Sequence, residues 1–180
     1  MHIDHKAGDK MFVDYTGKKL QVINKETGEV KDVEVFVSVL GASVLTFVEA
    51  TYTQTKEDFL SSLTKTLHYY GGVPAAIVTD NLRTAVKKSH KYEPIITDSL
   101  LDFASHYSTT ILPTRAYHPK DKALVENAVR IVYTRIFVPL RKTQFFSLEE
   151  LNKAIALLLE QYNKAPLQRK KYSREDVSCK

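Results

Sequence analysis

Three carboxylates sit where their type and surroundings could do chemistry: Asp14, Asp80 and Glu126. Asp14 interrupts the apolar, β-forming run MFVDY at 11–15, and a charge buried there is costly unless it meets a partner or a metal. Asp80 directly follows a second apolar run, AAIVT at 75–79. Glu126 falls one or two turns into a helix that starts near Pro119. It lies about 100° round from Val125, on the border of that helix's apolar stripe. If the strands bearing the two Asp residues are neighbours, all three carboxylates can meet at one edge of a sheet. They would offer hard oxygen ligands suited to Mg2+ or Mn2+, and so to phosphoryl transfer. Two of the three also have an ordinary reading. Asp80 before Asn81 and Leu82 suits a turn, and Lys122 and Arg130, four residues either side of Glu126, sit at the spacing of helix ion pairs.

The elements that would position these residues follow from hydrophobic period. Strands are expected at 11–15, continuing at 20–24 after Gly17, then at 33–40, where Val33, Val35, Val37 and Val39 share one face, and at 44–50. The period then changes. Phe59, Leu60, Leu63 and Leu67 repeat at helical spacing over 55–70, between the capping pair Thr55 and Asp58 and the stop Gly71-Gly72. A strand at 75–79, a helix at 97–106 with Leu100, Leu101, Phe103 and Ala104 on one side, and a strand at 109–113 come next. A long helix from Pro119 to about 138 and a capped helix at 147–163, ended by Pro166, complete the order. An antiparallel meander followed by strand–helix alternation predicts an α/β fold: a mixed five-stranded sheet flanked by helices.

Composition narrows the function classes. The 180 residues carry 26 Lys and Arg against 21 Asp and Glu, a net charge of +5, and 43% are apolar, which excludes disordered and fibrous chains. The positive charge is clustered at Arg83, Lys87, Lys88, His90 and Lys91, at Arg115, His118, Lys120 and Lys122, and along 164–180. Such clusters can follow a phosphate backbone or simply be solvated. The apolar stretch at 37–50 is too short and too polar to span a bilayer, and no signal-peptide region opens the sequence. With Cys179 as the one cysteine, the expectation is a soluble, cytoplasmic chain without an internal disulfide or a membrane partner. His2 and His5 lack further ligands, and no Gly-rich phosphate loop is present.

Several stretches, in order, resemble the catalytic core of the IstA-type insertion-sequence transposases, within the retroviral-integrase superfamily. They are VDYTG at 13–17, VFVSVLGAS at 35–43, YGGVP at 70–74 and TDNLR at 79–83, then KYEP at 91–94, HPKDKALVE at 118–126 and FFSLEELN at 145–152. The resemblance runs from about residue 8 to residue 170. It departs at Tyr15, where Trp is more frequent, and at Tyr133, where relatives often carry a second basic residue beyond Arg130.

The element order gives no sign of a second domain, and the resemblance implies an RNase H-like core at about 8–145 with a C-terminal helix and basic tail at about 146–180. It implies Asp14, Asp80 and Glu126 as catalytic and metal-binding residues for two Mg2+ or Mn2+ ions. The expected reaction cleaves transposon DNA ends and transfers the 3′-OH into target DNA. Arg83, Lys87, Lys88, Lys120, Lys122 and Arg130 would contact DNA. Expected partners are the transposon ends, target DNA, further copies of the chain assembled on DNA, and an AAA+ ATPase helper, with nucleoid association in a bacterial cytoplasm. A stand-alone RNase H-like nuclease and a catalytically inert DNA-binding or assembly module are the competing readings.

Overall fold

In the computed structural model, residues 8–79, 86–90, 93–113, 119–167 and 171–178 are described. The N-terminal strands form an antiparallel set: β1 (Lys10–Tyr15), β2 (Leu20–Ile23), β3 (Val30–Leu40) and β4 (Thr46–Thr51). Helix α1 (Lys56–Tyr70) leads to β5 (Ala76–Thr79), then a hairpin of β6 (Val86–His90) and β7 (Glu93–Ile96). Next come α2 (Asp98–Tyr107), β8 (Thr110–Pro113) and α3 (Pro119–Val132). A π-helical turn at Tyr133–Phe137 joins α3 to the short α4 (Val138–Leu140), and α5 (Leu148–Lys164) and α6 (Arg174–Ser178) follow.

The main sheet has six strands instead of the expected five, in the order β2-β3-β1-β5-β8 with β4 on β3. The extra strand arises from a break in the first one. β1 pairs with Phe36–Leu40 of β3 and β2 with Val30–Val33 of the same strand. Between them Thr16 Oγ1 donates to the Lys18 carbonyl at 2.6 Å, turning the chain out of the ladder. β5 lies parallel to β1 and to β8, so the strand that carries Asp14 and the strand that ends before residue 80 are direct neighbours, as a meeting of the carboxylates requires.

Helices cover both faces. Side-chain alternation along β1 and β3 splits the core in two. Met11, Val13, Phe36 and Ile77 pack against Phe59, Leu63 and Leu67 of α1 and Leu100 and Phe103 of α2. On the other face Phe12, Val39 and Val78 meet Ala128 of α3, and Val35 and Val37 meet Val132, Ile136, Leu151 and Ile155. Each such large side chain contributes about 1.5–3 kcal/mol by burial. Leu101, expected on the apolar side of α2, is 49% exposed: it faces away from the three that are buried.

Local signals set the helix ends. Thr55 accepts from the Asp58 amide, Ser147 accepts from the Glu150 amide at 3.1 Å, and Gly71 closes α1 with φ 69°. The β6–β7 hairpin was not expected, because VKKSH carries no apolar alternation. The basic tail includes α6, with Ser173 donating to and accepting from Asp176 at its start.

Candidate active site

Asp14 lies on the sheet face that α3 covers. In β1 the residues Met11, Val13 and Tyr15 face α1 and α2, so Phe12 and Asp14 face the other way. Asp14 stands opposite Val37, is half-buried, and its Oδ1 accepts the Tyr15 amide at 2.8 Å. The parallel register of β1 and β5 ends with Val13 beside Thr79, whose side chain is buried. Asp80, the next residue in sequence, lies outside the described residues, as does Arg83.

Glu126 comes to the same region from α3. Ala128 and Val132 seat this helix on the sheet, which leaves Glu126 exposed on its border as the stripe geometry predicts. It lines a pocket of about 360 Å³ with Thr16, Gly17, Lys18, Val129, Arg130, Tyr133 and Phe137. Thr16 is two residues beyond Asp14, so α3 brings Glu126 beside the chain leaving β1.

The expected cations divide. Arg130 lines the pocket, and its Nη2 donates to Asn127 Oδ1 at 2.9 Å. Lys120 and Lys122 are in the first turn of α3, while Lys87 and Lys88 are in β6 of the hairpin. One cation was missed in the sequence. Lys18 lines the pocket too, with its Nζ 3.6 Å from the centroid of the Tyr133 ring. No local pattern marks it, since its partner is more than a hundred residues away.

Asp14 thus stands near the end of β1, and Glu126, with Arg130 and Lys18, lines the pocket beside Thr16, two residues further on. The described residues contain no group of three His, Cys, Asp or Glu that could hold a metal ion; the third expected ligand is not among them. No helix among the described residues is long and apolar enough to cross a membrane.

No protein-family model matches the sequence. Curated relatives do. A putative transposase of Sinorhizobium fredii is 44% identical over 173 residues, 96% of this chain and 34% of its own. The putative transposase for insertion sequence IS408 of Burkholderia multivorans is 41% identical over 176 residues, covering 98% of this chain and 34% of the relative. The chain therefore spans about a third of the length of these relatives. In structure it is similar to the HTLV-2 integrase catalytic core domain solved in complex with magnesium. The TM-score is 0.67 at 16% identity, over 96% of this chain and 97% of that one. The fold is thus that of an integrase catalytic core.

Proposed function

We propose, from the premise that this chain is homologous to insertion-sequence transposases over nearly its whole length, that it is the catalytic domain of such an enzyme. Its reaction would be a polynucleotidyl transfer: cleavage of transposon DNA ends and joining of the freed 3′-OH to target DNA. The observation that carries this reading is the sequence match to transposases over nearly the whole chain, supported by Glu126 lining a pocket with Thr16, two residues beyond Asp14 of β1.

In this reading Asp14, Asp80 and Glu126 hold two Mg2+ or Mn2+ ions. The donors fit, because carboxylate oxygens are what such hard cations take. Asp14 is held on a central strand, and Glu126 opens to a pocket. When bound, such ions make an attacking water or hydroxyl more acidic and stabilise the leaving oxygen. The chain's own cations position the substrate. Arg130 at the pocket, with Lys120 and Lys122 at the start of α3, holds the phosphates flanking the scissile bond. Arg83, Lys87 and Lys88 contact DNA further out.

The same reading makes residues 8–145 the core proper and 146–180 an appended helix and basic tail. It gives the whole protein transposon ends and target DNA as partners, assembly of several copies on DNA, and an AAA+ ATPase helper. Its place of work would be the cytoplasm, on the nucleoid.

The test is to incubate the chain with a pre-cut transposon-end oligonucleotide, supercoiled plasmid and Mg2+ or Mn2+. Metal-dependent joining of the oligonucleotide to the plasmid supports the proposal. Hydrolysis without joining indicates a stand-alone RNase H-like nuclease, and binding alone indicates an inert DNA-binding module.

A further inference from the structure

Beyond the pocket at Glu126 lies a second hollow of about 490 Å³, lined among others by Lys18, Lys19, Gln21, Arg141 and Thr143. The two share Lys18, Tyr133 and Phe137, so they are two reaches of one furrow. Its charge is uneven. Glu126 is the one carboxylate among the described lining residues, at one end, and Arg130, Lys18, Lys19 and Arg141 follow along it.

These cations are not equally available. Lys19 is 2.7 Å from Glu34, and Arg130 already donates to Asn127. Lys18 rests on an aromatic face, which attracts the ammonium without neutralising it. Its backbone is fixed on one side by the Thr16 hydroxyl, while the Thr16 amide donates to the Val35 carbonyl at 2.8 Å. The exposed Tyr133 ring beneath it belongs to the π-helical turn that follows the helix of Glu126. The furrow's dividing point is therefore a positive charge on a platform, next to the candidate catalytic carboxylate.

We propose that Lys18, carried on the ring of Tyr133, is a DNA-positioning residue: it takes a backbone phosphate of the strand lying beside Glu126, and the furrow leads that strand on toward Arg141. This rests on the transposase reading above and names a substrate contact within it.

The test is a salt series of anisotropy titrations, with the 180-residue chain and a labelled DNA duplex. Lys18→Ala should weaken binding about fivefold at low salt, the scale of one lost charged contact. It should also make the log K against log salt slope shallower by about 0.9, the share of one phosphate. Lys18→Arg should restore the slope. Tyr133→Phe should bind like the parent, and Tyr133→Leu should lose about threefold, the scale of a cation–π contact, at an unchanged slope. Lys153→Ala, on the exposed side of α5, is the control and should change nothing. A parent-like slope in Lys18→Ala overturns the proposal while leaving the transposase reading intact. Parent-like affinity in Tyr133→Leu overturns the role of the ring. Absence of salt-dependent duplex binding by the parent chain overturns both the transposase reading and this one.

Discussion

Asn152 and Asn163, three turns apart on α5, grip the outer edge of β4 at two points. Asn152 Oδ1 accepts the Ala50 amide at 2.7 Å and its Nδ2 donates to the Ala50 carbonyl at 3.0 Å. Asn163 repeats the arrangement on Thr46, at 3.2 and 2.8 Å, and also donates to the Tyr69 hydroxyl at 2.7 Å. Among the described strands β4 pairs with β3 alone, so these side chains satisfy backbone groups that an edge strand otherwise leaves open. Asn163→Ala leaves a buried N–H and C=O unpaired. The expected loss is about 2–4 kcal/mol, read as a fall in thermal midpoint of roughly 5–15 °C. The half-exposed Asn152 should cost less when truncated. Unchanged melting of Asn163→Ala would refute the clamp.

Replacing Asp14, Asp80 or Glu126 by its amide should abolish metal-dependent end cleavage and joining while the far-ultraviolet spectrum stays native. The amide keeps the shape but loses the charge that would hold a divalent cation. Without metal, the variants should melt no lower than the parent, since mutual carboxylate repulsion is reduced. Parent-like turnover in Mg2+ by Asp14→Asn would remove that residue from the site.

Lys122→Glu and Arg130→Glu separate DNA positioning from simple helix electrostatics. Arg130 donates to Asn127 Oδ1 on its own helix. Strand transfer should fall at least about tenfold, roughly 1.4 kcal/mol of transition-state positioning. Mn2+ affinity measured without DNA should change far less. Full strand transfer by both variants would leave these side chains a surface role only.

Duplex binding by the isolated 180 residues should be weak and indifferent to sequence. Phosphate contacts position DNA without reading its bases. Binding to transposon-end and scrambled duplexes should weaken in parallel as salt rises. A strong end preference that persists at high salt would contradict this.

Alkaline pH should unfold the chain earlier than its surface charges alone predict. Burial raises the Tyr15 and Tyr70 phenols above their ordinary value of 10.0, and the Tyr70 hydroxyl is also held 2.8 Å from Ser38 Oγ. The native state keeps protons that the unfolded chain begins to release near pH 10.0. Stability is therefore intact below that pH and falls as pH rises, by about 1.36 kcal/mol per pH unit for each such group. Urea titrations of Tyr70→Phe above that pH should show a shallower fall than the parent, by one group's share.

Elements whose chemistry is local were legible in the sequence. Thr55, Gly71 and Ser147 marked helix ends because a cap acts on residues three or four away. Val33, Val35, Val37 and Val39 marked a covered face because the strand period is two. The β6–β7 hairpin was not legible, since backbone pairing alone leaves no apolar signature in VKKSH. The break that makes β2 a separate strand depends on one hydroxyl, that of Thr16, closing on Lys18. Of the candidate site, the strand placement of Asp14 and the stripe-border placement of Glu126 were legible through burial cost and helix period. Lys18 was not, because its position has meaning only once Tyr133 is brought across from another element.

The π-helical turn at Tyr133–Phe137 accommodates more residues per turn than the helix before it, which bears on how this chain tolerates deletion. Ile136 and Phe137 are anchored in the core, downstream of the turn's start. Wound as regular α-helix, the same five residues would turn α3 by roughly 100° on its axis relative to that anchor, so that Ala128 left the sheet and Glu126 swung away from Thr16. Losing one residue from the turn would instead let an α-helix run on with α3 nearly in place, because the wide turn already absorbs the extra residue. The aim of a candidate catalytic side chain is thus fixed by a length count made after it in the sequence, at a place where neither substrate nor metal need touch.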